Sequence, residues 1–578
     1  MHVRESALPC AEAVAAVLAA GGVETVFGVL GSGNLVVTNA LVAAGARFFA
    51  ARHECGAVCM ADGFARVSGE VGVVSVHQGP GLTNAMTGIA EAVKSHTPLL
   101  VLAADTPAAA IHSNFRIDQA AMVEAVGALA VRLRDPAAAC EDALAALTRA
   151  AAERRPVVLN LPLDVQAALV PPPRAVEAKT PDRSSFTVLT IDEGTGVLAT
   201  STPDKPAAAP AEIARAAELA AAARRPVIVA GRGAVVADAG PALERLGGAC
   251  GALLATSAPA HGLFAGNPFA LGISGGFATP LARELLAEAD LVLAFGATLN
   301  DWTTRHGTLF GDAPVIQVDT DPTALGRHGP RALAITGDAA VTADAIAAAL
   351  RTCSSEGWRS PEVQAQIAAR AWPSELDAAV VRPRAAREGC IDPRTLTIAL
   401  DAILPRDRAV AVDSGHFLGW PAMCLPTQDA RAWVFPNGFQ SVGLGLGCAI
   451  GAAVARPERI TVAALGDGGC FMALPELETA VRFNLKLLVL VYDDAAYGAE
   501  VHHFGPGGHD LAGVRFPDAD LAALGRAAGA QAITVRGEND LHAVERWVAD
   551  GAPGPLVLDA KVDPTICAAW LEDAFRGG

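Results

Sequence analysis

Thr461-Val462-Ala463-Ala464-Leu465-Gly466-Asp467-Gly468-Gly469 is the stretch that decides the fold. Its first five residues read as a buried strand that runs straight into a Gly-Asp-Gly-Gly turn. A second apolar run, Leu487 to Val491, ends at Asp493-Asp494-Ala495-Ala496-Tyr497-Gly498. Ligands of parallel α/β sheets bind at the carboxyl ends of strands. Asp467 and Asp494, 27 positions apart (467 to 494), fall at two such ends. Two carboxylates with carbonyl oxygens make a hard oxygen site suited to Mg²⁺ bridging phosphate oxygens. Gly466, Gly468 and Gly469 let the backbone approach phosphates without a Cβ in the way. A Gly-Asp turn after a strand is common by itself; the second strand, the spacing and Tyr497-Gly498 give it meaning.

The same rhythm extends along the chain. Strand-like runs such as Val73–Val76, Leu99–Leu102, Val227–Ala230 and Leu291–Ala294 alternate with Ala-rich helical stretches, including 11–20, 213–223 and 475–483. The last carries Glu476 in its first turn, where a carboxylate favours a helix N-terminus. This alternation predicts an α/β protein of doubly wound parallel sheets covered by helices. Two segments interrupt it. Pro171-Pro172-Pro173 opens one rich in Pro, Thr, Ser and Asp that runs to Pro210, within which Phe186 to Ile191 predicts an added strand. Cys353 to Pro393 holds Ser354-Ser355-Glu356-Gly357 and an exposed helix. Taken as connectors, they predict domains at 1–170, 211–352 and 391–578, with linkers at 171–210 and 353–390.

Bulk properties exclude several classes. The 578 residues are 52% hydrophobic and 18% charged, which argues for a large buried core and against disorder. A net charge of −17 with no Lys/Arg run excludes nucleic acid and an anionic membrane surface as partners. No apolar stretch is long enough for a membrane span. Met1-His2-Val3-Arg4-Glu5-Ser6 lacks the apolar core of a secretory signal. Eleven cysteines without a CxxC pair read as reduced, mostly buried thiols of a cytoplasmic protein. Cys55 and Cys59, one helical turn apart, read as core packing.

Near the N-terminus, Arg52-His53-Glu54 precedes the helical run Cys55-Gly56-Ala57-Val58-Cys59-Met60-Ala61-Asp62-Gly63-Phe64-Ala65-Arg66. A strand follows, then His77-Gln78-Gly79-Pro80-Gly81-Leu82-Thr83-Asn84. A lone Glu at a helix start is ordinarily a dipole-stabilising surface charge. The combination, however, resembles the RHE…MAxGxAR…GPGxxN signature of the thiamine-diphosphate enzymes that include acetolactate synthase, benzoylformate decarboxylase and pyruvate decarboxylase. The Gly466-Asp467-Gly468 motif resembles theirs as well, and similarity runs along the whole chain.

That resemblance implies thiamine diphosphate held through Mg²⁺ or another divalent cation. The metal ligands would be Asp467, Asp494 and the backbone carbonyl of Ala496. Here the chain departs from the family, whose Asn pair is replaced by Asp493-Asp494, so that extra negative charge lies beside the diphosphate. Glu54 would hydrogen-bond the cofactor's aminopyrimidine and activate it. Gly438-Phe439-Gln440-Ser441-Val442-Gly443-Leu444-Gly445 is similar to the segment that touches that ring. Val442 stands where the family has a bulkier side chain, and the Gln440 carbonyl would face the amino group. Gly79 and Asn84, with Gly466, Gly468, Gly469, Tyr497 and Gly498, complete the implied cofactor contacts. Ala230-Gly231-Arg232-Gly233-Ala234, Phe295-Gly296-Ala297 and Gln317-Val318-Asp319-Thr320-Asp321-Pro322 are similar to the family's central domain. No residue there demands FAD, and a structural domain is expected.

The family also implies pocket residues. Ser32, in Gly31-Ser32-Gly33-Asn34, matches a substrate-binding serine, and His77 a catalytic histidine. Gln119 matches an active-site glutamine with a one-residue gap, and Glu500 a catalytic glutamate followed by His502-His503. The implied activity is non-oxidative decarboxylation of a small 2-oxo acid, followed by acetolactate synthase-like ligation or by protonation. The alternatives are lysis or ligation of a 2-hydroxy ketone or 2-hydroxyacyl thioester, and a cofactor-binding regulatory protein without turnover. Because the family joins Glu54 and Asp467 across subunits, a homodimer or dimer of dimers is expected. Loop side chains set the substrate, which the sequence therefore does not name.

Overall fold

Apolar residues fill whole strands rather than alternate positions, and the sheets are accordingly covered on both faces. A computed structural model describes residues 7–172, 188–191, 198–201, 205–350, 358–381 and 386–575. Met1 to Ser6, Phe186-Thr187 and Ser354 to Gly357 lie outside the described residues. Among those described, the strands form three six-stranded parallel sheets and two short antiparallel pairs. One of the pairs joins Val188–Ile191 to Leu198–Ser201, so the added strand is present over its last four residues.

The first sheet comprises β1 (Thr25–Gly28), β2 (Arg47–Ala50), β3 (Gly72–Val76), β4 (Leu99–Asp105), β5 (Leu129–Arg132) and β6 (Val157–Pro162), in the order β2-β1-β3-β4-β6-β5. The central sheet comprises β7 (Pro226–Ala230), β8 (Leu253–Thr256), β9 (Ala270–Ile273), β10 (Leu291–Phe295), β11 (Val315–Asp319) and β12 (Leu333–Thr336). Its order is β9-β8-β7-β10-β11-β12, the doubly wound arrangement of dinucleotide-binding folds. The third comprises β13 (Arg408–Val412), β14 (Trp433–Val434), β15 (Ile460–Gly466), β16 (Leu487–Asp493), β17 (Gln531–Val535) and β18 (Leu556–Lys561). It is ordered β14-β13-β15-β16-β18-β17. The first and third sheets thus repeat one strand order, although no repeat is visible in the sequence. The α/β class expected from the sequence is observed.

Six helices position the site: α1 (Glu54–Ser68), α2 (Pro80–Lys94), α3 (Gly445–Ala455), α4 (Asp467–Ala473), α5 (Glu476–Arg482) and α6 (Gly498–Phe504). Helix α1 is buried from Ala57 to Val67, and α3 from Gly445 to Val454. They cross with backbones in contact. A Cβ on Gly63 would overlap the Cys448 carbonyl, and one on Gly451 would overlap the Met60 carbonyl. Glycine costs a helix about 1 kcal/mol relative to alanine, which close packing of two backbones offsets. Through this crossing the first and third sheets share one core, with Phe27, Val58 and Ile89 packed in a cluster with Ile450, Leu465 and Val489. The exposed helix expected in the second connector is Pro361–Ala369, which buries no residue. The ten cysteines described are free thiols, with Cys59 buried and Cys55 partly so. No helix among the described residues is long and apolar enough to cross a membrane.

Candidate active site

Parallel pairing sets Gly466 of β15 beside Tyr492 of β16, so the Asp467 and Asp494 turns leave one sheet edge from adjacent strands. Their carboxyl groups are close enough to influence each other's ionisation. Burial pushes the Asp467 carboxyl up to about 7, with Asp493 adding to the effect. Asp494 is raised well above the usual carboxylate range by burial and by Asp467 and Asp493. No described Lys, Arg or His forms an ion pair with either group, and both stand beside a large cavity. Tyr497 and Gly498 complete the turn. A Cβ on Gly498 would overlap the Asp494 carboxylate and come 3.4 Å from His416 Cβ.

The two members of the Asp pair part company. Asp493 is 4% exposed and turns away, accepting a hydrogen bond from Lys561 Nζ at 2.6 Å. Lys561 also reaches Asp518 at 2.6 Å, Asp559 at 3.1 Å and the Ala519 carbonyl at 2.6 Å. Burial opposes its charge, but these carboxylates outweigh burial and hold the ammonium above the ordinary lysine range. Asp559, fully buried, is pushed up to about 6 by burial.

Strand β13, on the far side of β15, contributes Asp413 and His416. The Asp413 carboxylate accepts from the amides of Gly443 (2.9 Å) and Leu444 (3.1 Å), which fixes the 438–445 segment. Burial pushes its carboxyl up to about 6, and these amides oppose the rise. Within the segment Gln440 adopts φ +58. His416 Nε2 accepts the Ala568 amide at 2.8 Å, which leaves the ring proton on Nδ1. Burial, and then His502, keep this imidazole far below its ordinary value, hence neutral. Gln440, Val442, the 466–469 turn, Asp494 and residues 496–498 all line one cavity of about 2260 Å³, as do Glu500 and His416. On α6, His502 packs on His416 at 4.4 Å and His503 stacks on Phe575 at 3.8 Å. The cavity continues past the central sheet at Arg232, Gly233, Gly296 and Asp319.

The remaining candidates gather elsewhere, at the carboxyl edge of the first sheet. Asn84 Nδ2 donates to Glu54 Oε2 at 3.0 Å. His77 Nδ1 lies 2.8 Å from the Gln78 carbonyl, so it carries the proton, and Nε2 accepts from the Ser32 hydroxyl at 3.3 Å. Gln119 is buried with its amide committed to Gly79 N–H (2.9 Å), the Ala104 carbonyl (3.1 Å) and Asn160 (2.7 Å). Gly79 itself takes φ +64. None of these residues lines the large cavity. One chain therefore presents the candidates in two separate groups, two candidate half-sites. Exposed Leu35, Val36, Phe115 and Ile117 flank the first, and Phe439, Phe471, Met472 and Tyr497 the second.

Glu476 departs from its expected part as a helix-end charge. Its buried carboxylate accepts from the amides of Arg52 (3.1 Å) and His53 (2.9 Å), and so fixes the turn that carries Glu54. Asp413, His416 and Lys561 were not singled out from sequence, and Glu476 only as a helix-end charge. The first two had a usable signal, since Ala409-Val410-Ala411-Val412 runs into Asp413-Ser414-Gly415-His416 much as β15 runs into its own turn.

Three family models match in order: the N-terminal thiamine pyrophosphate-binding domain over 9–122, the central domain over 213–346 and the C-terminal thiamine pyrophosphate-binding domain over 413–560. A probable 2-ketoarginine decarboxylase, AruI, of Pseudomonas aeruginosa is 32% identical over 556 residues, covering 95% of this chain and 92% of the relative. A sulfoacetaldehyde acetyltransferase of Rhodobacter capsulatus is 30% identical, covering 98% and 96%. A probable acetolactate synthase large subunit of Methanocaldococcus jannaschii is 29% identical, covering 84% and 80%. With both cofactor-binding domains matched around the two half-sites and a relative aligned nearly end to end, the chain belongs to the thiamine pyrophosphate enzyme family.

Proposed function

We propose that the protein is a magnesium-dependent enzyme that uses thiamine diphosphate to remove CO₂ from a small 2-oxo acid. The carbon left behind is then joined to a second carbonyl or protonated. The observation that carries this reading is the pairing of two half-sites: Glu54 held by Asn84 in one, and in the other buried Asp467 beside half-buried Asp494, neither with a cationic partner among the described residues. Relatives named decarboxylase and acetolactate synthase support it.

The donor set fits the absent groups. Among the described residues no cluster of three or more His, Cys, Asp or Glu is arranged for a metal, so a cation at Asp467 and Asp494 would need the Ala496 carbonyl and phosphate oxygens to fill its shell. Gly466, Gly468, Gly469, Tyr497 and Gly498 leave room for a diphosphate there. Gln440 and Val442, fixed through Asp413, would meet the pyrimidine side, with Gly79, Asn84 and Glu54 contributed by the first sheet. When bound, thiamine diphosphate supplies the electron sink for the pair that CO₂ leaves behind. Glu54 holds a charged acceptor for the aminopyrimidine. His77, with Nε2 free to exchange a proton with Ser32, and Glu500 in the cavity handle protons near the reacting carbon. Gln119 acts through the Gly79 loop, in place of the substrate contact expected from sequence. FAD is not required.

Two half-sites that line no common cavity, each flanked by exposed apolar side chains, call for a second copy of the chain. We therefore read the active form as a homodimer or dimer of dimers with shared sites. Free thiols throughout the described residues agree with a cytoplasmic protein.

Release of CO₂ from a panel of 2-oxo acids, with and without Mg²⁺ and cofactor, tests the proposal. Turnover of at least one acid, abolished by chelation and restored by both additions, is expected. No CO₂ from any acid despite tight cofactor binding overturns it. A second expectation concerns Gly498. Gly498→Ala places a methyl group on the Asp494 carboxylate and should weaken metal-dependent cofactor binding by about tenfold or more. Calorimetry on the folded variant reads this directly.

A further inference from the structure

The charge balance around the metal turn has a consequence for the order in which the site fills. Asp467 (6% exposed), Asp493 (4%) and Asp559 (0%) are buried, and Asp494 adjoins them half-buried. One buried ammonium, Lys561, serves this group, and its contacts are Asp493, Asp559 and the more exposed Asp518. It does not reach Asp467 or Asp494. The pair facing the cavity is thus left without a cationic partner among the described residues, where a second negative charge is costly and only a cation, or a proton, can offset it. Where the family has an Asn pair, one carboxylate is added that Lys561 cancels and another that no described Lys, Arg or His reaches. A diphosphate brought to this turn alone would meet like charge; a divalent cation would be attracted to it.

We infer that the chain takes up its divalent cation first, on Asp467 and Asp494 alone, and admits thiamine diphosphate only afterwards. The Asp493–Lys561 pair keeps the third carboxylate out of the metal shell. Lys561 is in this sense a positioning residue. The inference rests on the metal site proposed above and adds an order of binding and a reason for it.

The test uses the full-length protein stripped of metal. Mn²⁺ is titrated with the free ion followed by its electron paramagnetic resonance signal, first without and then with saturating thiamine diphosphate. Cofactor binding without metal is followed by calorimetry. About one Mn²⁺ per chain is expected without cofactor, and no cofactor binding without metal. Asp494→Asn should weaken cofactor-free Mn²⁺ binding about tenfold or more, and much less once the cofactor is present. Lys561→Met frees the Asp493 carboxylate and should change both the affinity and the resonance signal of cofactor-free Mn²⁺, whereas values identical to those of the unaltered protein would remove Lys561 from the positioning role. Uptake of Mn²⁺ only in the presence of cofactor, or tight cofactor binding without metal, overturns the order while leaving the metal site standing. Failure to bind Mn²⁺ even with cofactor overturns the site itself.

Discussion

Replacing Glu54 by Gln is expected to lower turnover by about 10²–10⁴-fold, the range ascribed to one acid–base group, while leaving the fold intact. The side chain lies at the first position of α1, where it is half-buried. Its Oε2 accepts from Asn84 Nδ2, and a Cβ on Gly81 would stand 3.4 Å from its Oε1. Gln keeps the length of the chain and can still accept from Asn84, so neither packing nor that hydrogen bond should be lost. What disappears is the negative charge. A neutral amide cannot hold an aminopyrimidine nitrogen in the protonated form that frees the neighbouring amino group to act as a base. The turn itself stays in place, because the Arg52 and His53 amides are bound by Glu476 and not by Glu54. Three measurements separate the effects: CO₂ release, cofactor affinity by calorimetry and the thermal transition. Turnover near that of the unaltered protein would remove Glu54 from the chemistry. A lowered thermal transition with activity lost in proportion would make it structural.

The parts of the molecule that could be read from sequence are those set by local pattern. Strands β15 and β16 are apolar runs in the sequence, and the two turns that leave their ends place Asp467 and Asp494 at one edge by pattern alone. Both strands run slightly beyond the apolar residues, to Gly466 and Asp493, because sheet pairing does not stop where hydrophobicity does. Contacts made at long range were not legible. Asp493 is separated from Lys561 by 68 residues and Arg52 from Glu476 by 424, and no periodicity links such positions. Glu476 illustrates the difficulty: a carboxylate in a first helical turn has a sufficient local explanation, yet its oxygens are committed to another sheet's turn. The common strand order of the first and third sheets was equally hidden, since topology fixes where strands lie and not which apolar residues fill them. Gln119 lay in a recognisable segment, but only its buried partners show that its amide braces a loop.

The largest loss of stability is expected from Arg66→Met. In the sequence Arg66 was only the last letter of a motif; in the fold it stands at the centre of a buried network. Its Nε donates to both oxygens of Asp62, at 3.0 and 2.9 Å, and its Nη2 to Glu91 at 2.9 Å. All three side chains are at most 5% exposed. Its Nη1 reaches the Phe435 carbonyl at 3.1 Å. Methionine fills much of the same volume but leaves two buried carboxylates without their guanidinium, and breaking such a pair from one side costs about 3–5 kcal/mol. Against a typical stability of about 5–15 kcal/mol, that is a large share. Lys at this position keeps the charge but not the planar fork that spans Asp62 and Glu91, so Arg66→Lys should fall between. An exposed pair offers the control: Arg149 and Glu153 meet at 2.5 Å with both side chains at least 40% exposed, and Arg149→Ala should change stability by no more than about 0.5 kcal/mol. The effect of Arg66→Met should also reach the active site. Glu91 accepts from the amides of Gly438 (3.1 Å) and Phe439 (2.7 Å), at the start of the segment that carries Gln440 and Val442. A carboxylate that loses Arg66 has reason to turn towards water and release both amides. Cofactor affinity should therefore drop together with the urea midpoint in Arg66→Met, and neither should move in Arg149→Ala. A midpoint for Arg66→Met equal to that of the unaltered protein would mean that Asp62 and Glu91 are compensated from elsewhere, with the half-buried Arg232 guanidinium, whose charge is felt by the same two carboxylates, the first group to substitute next.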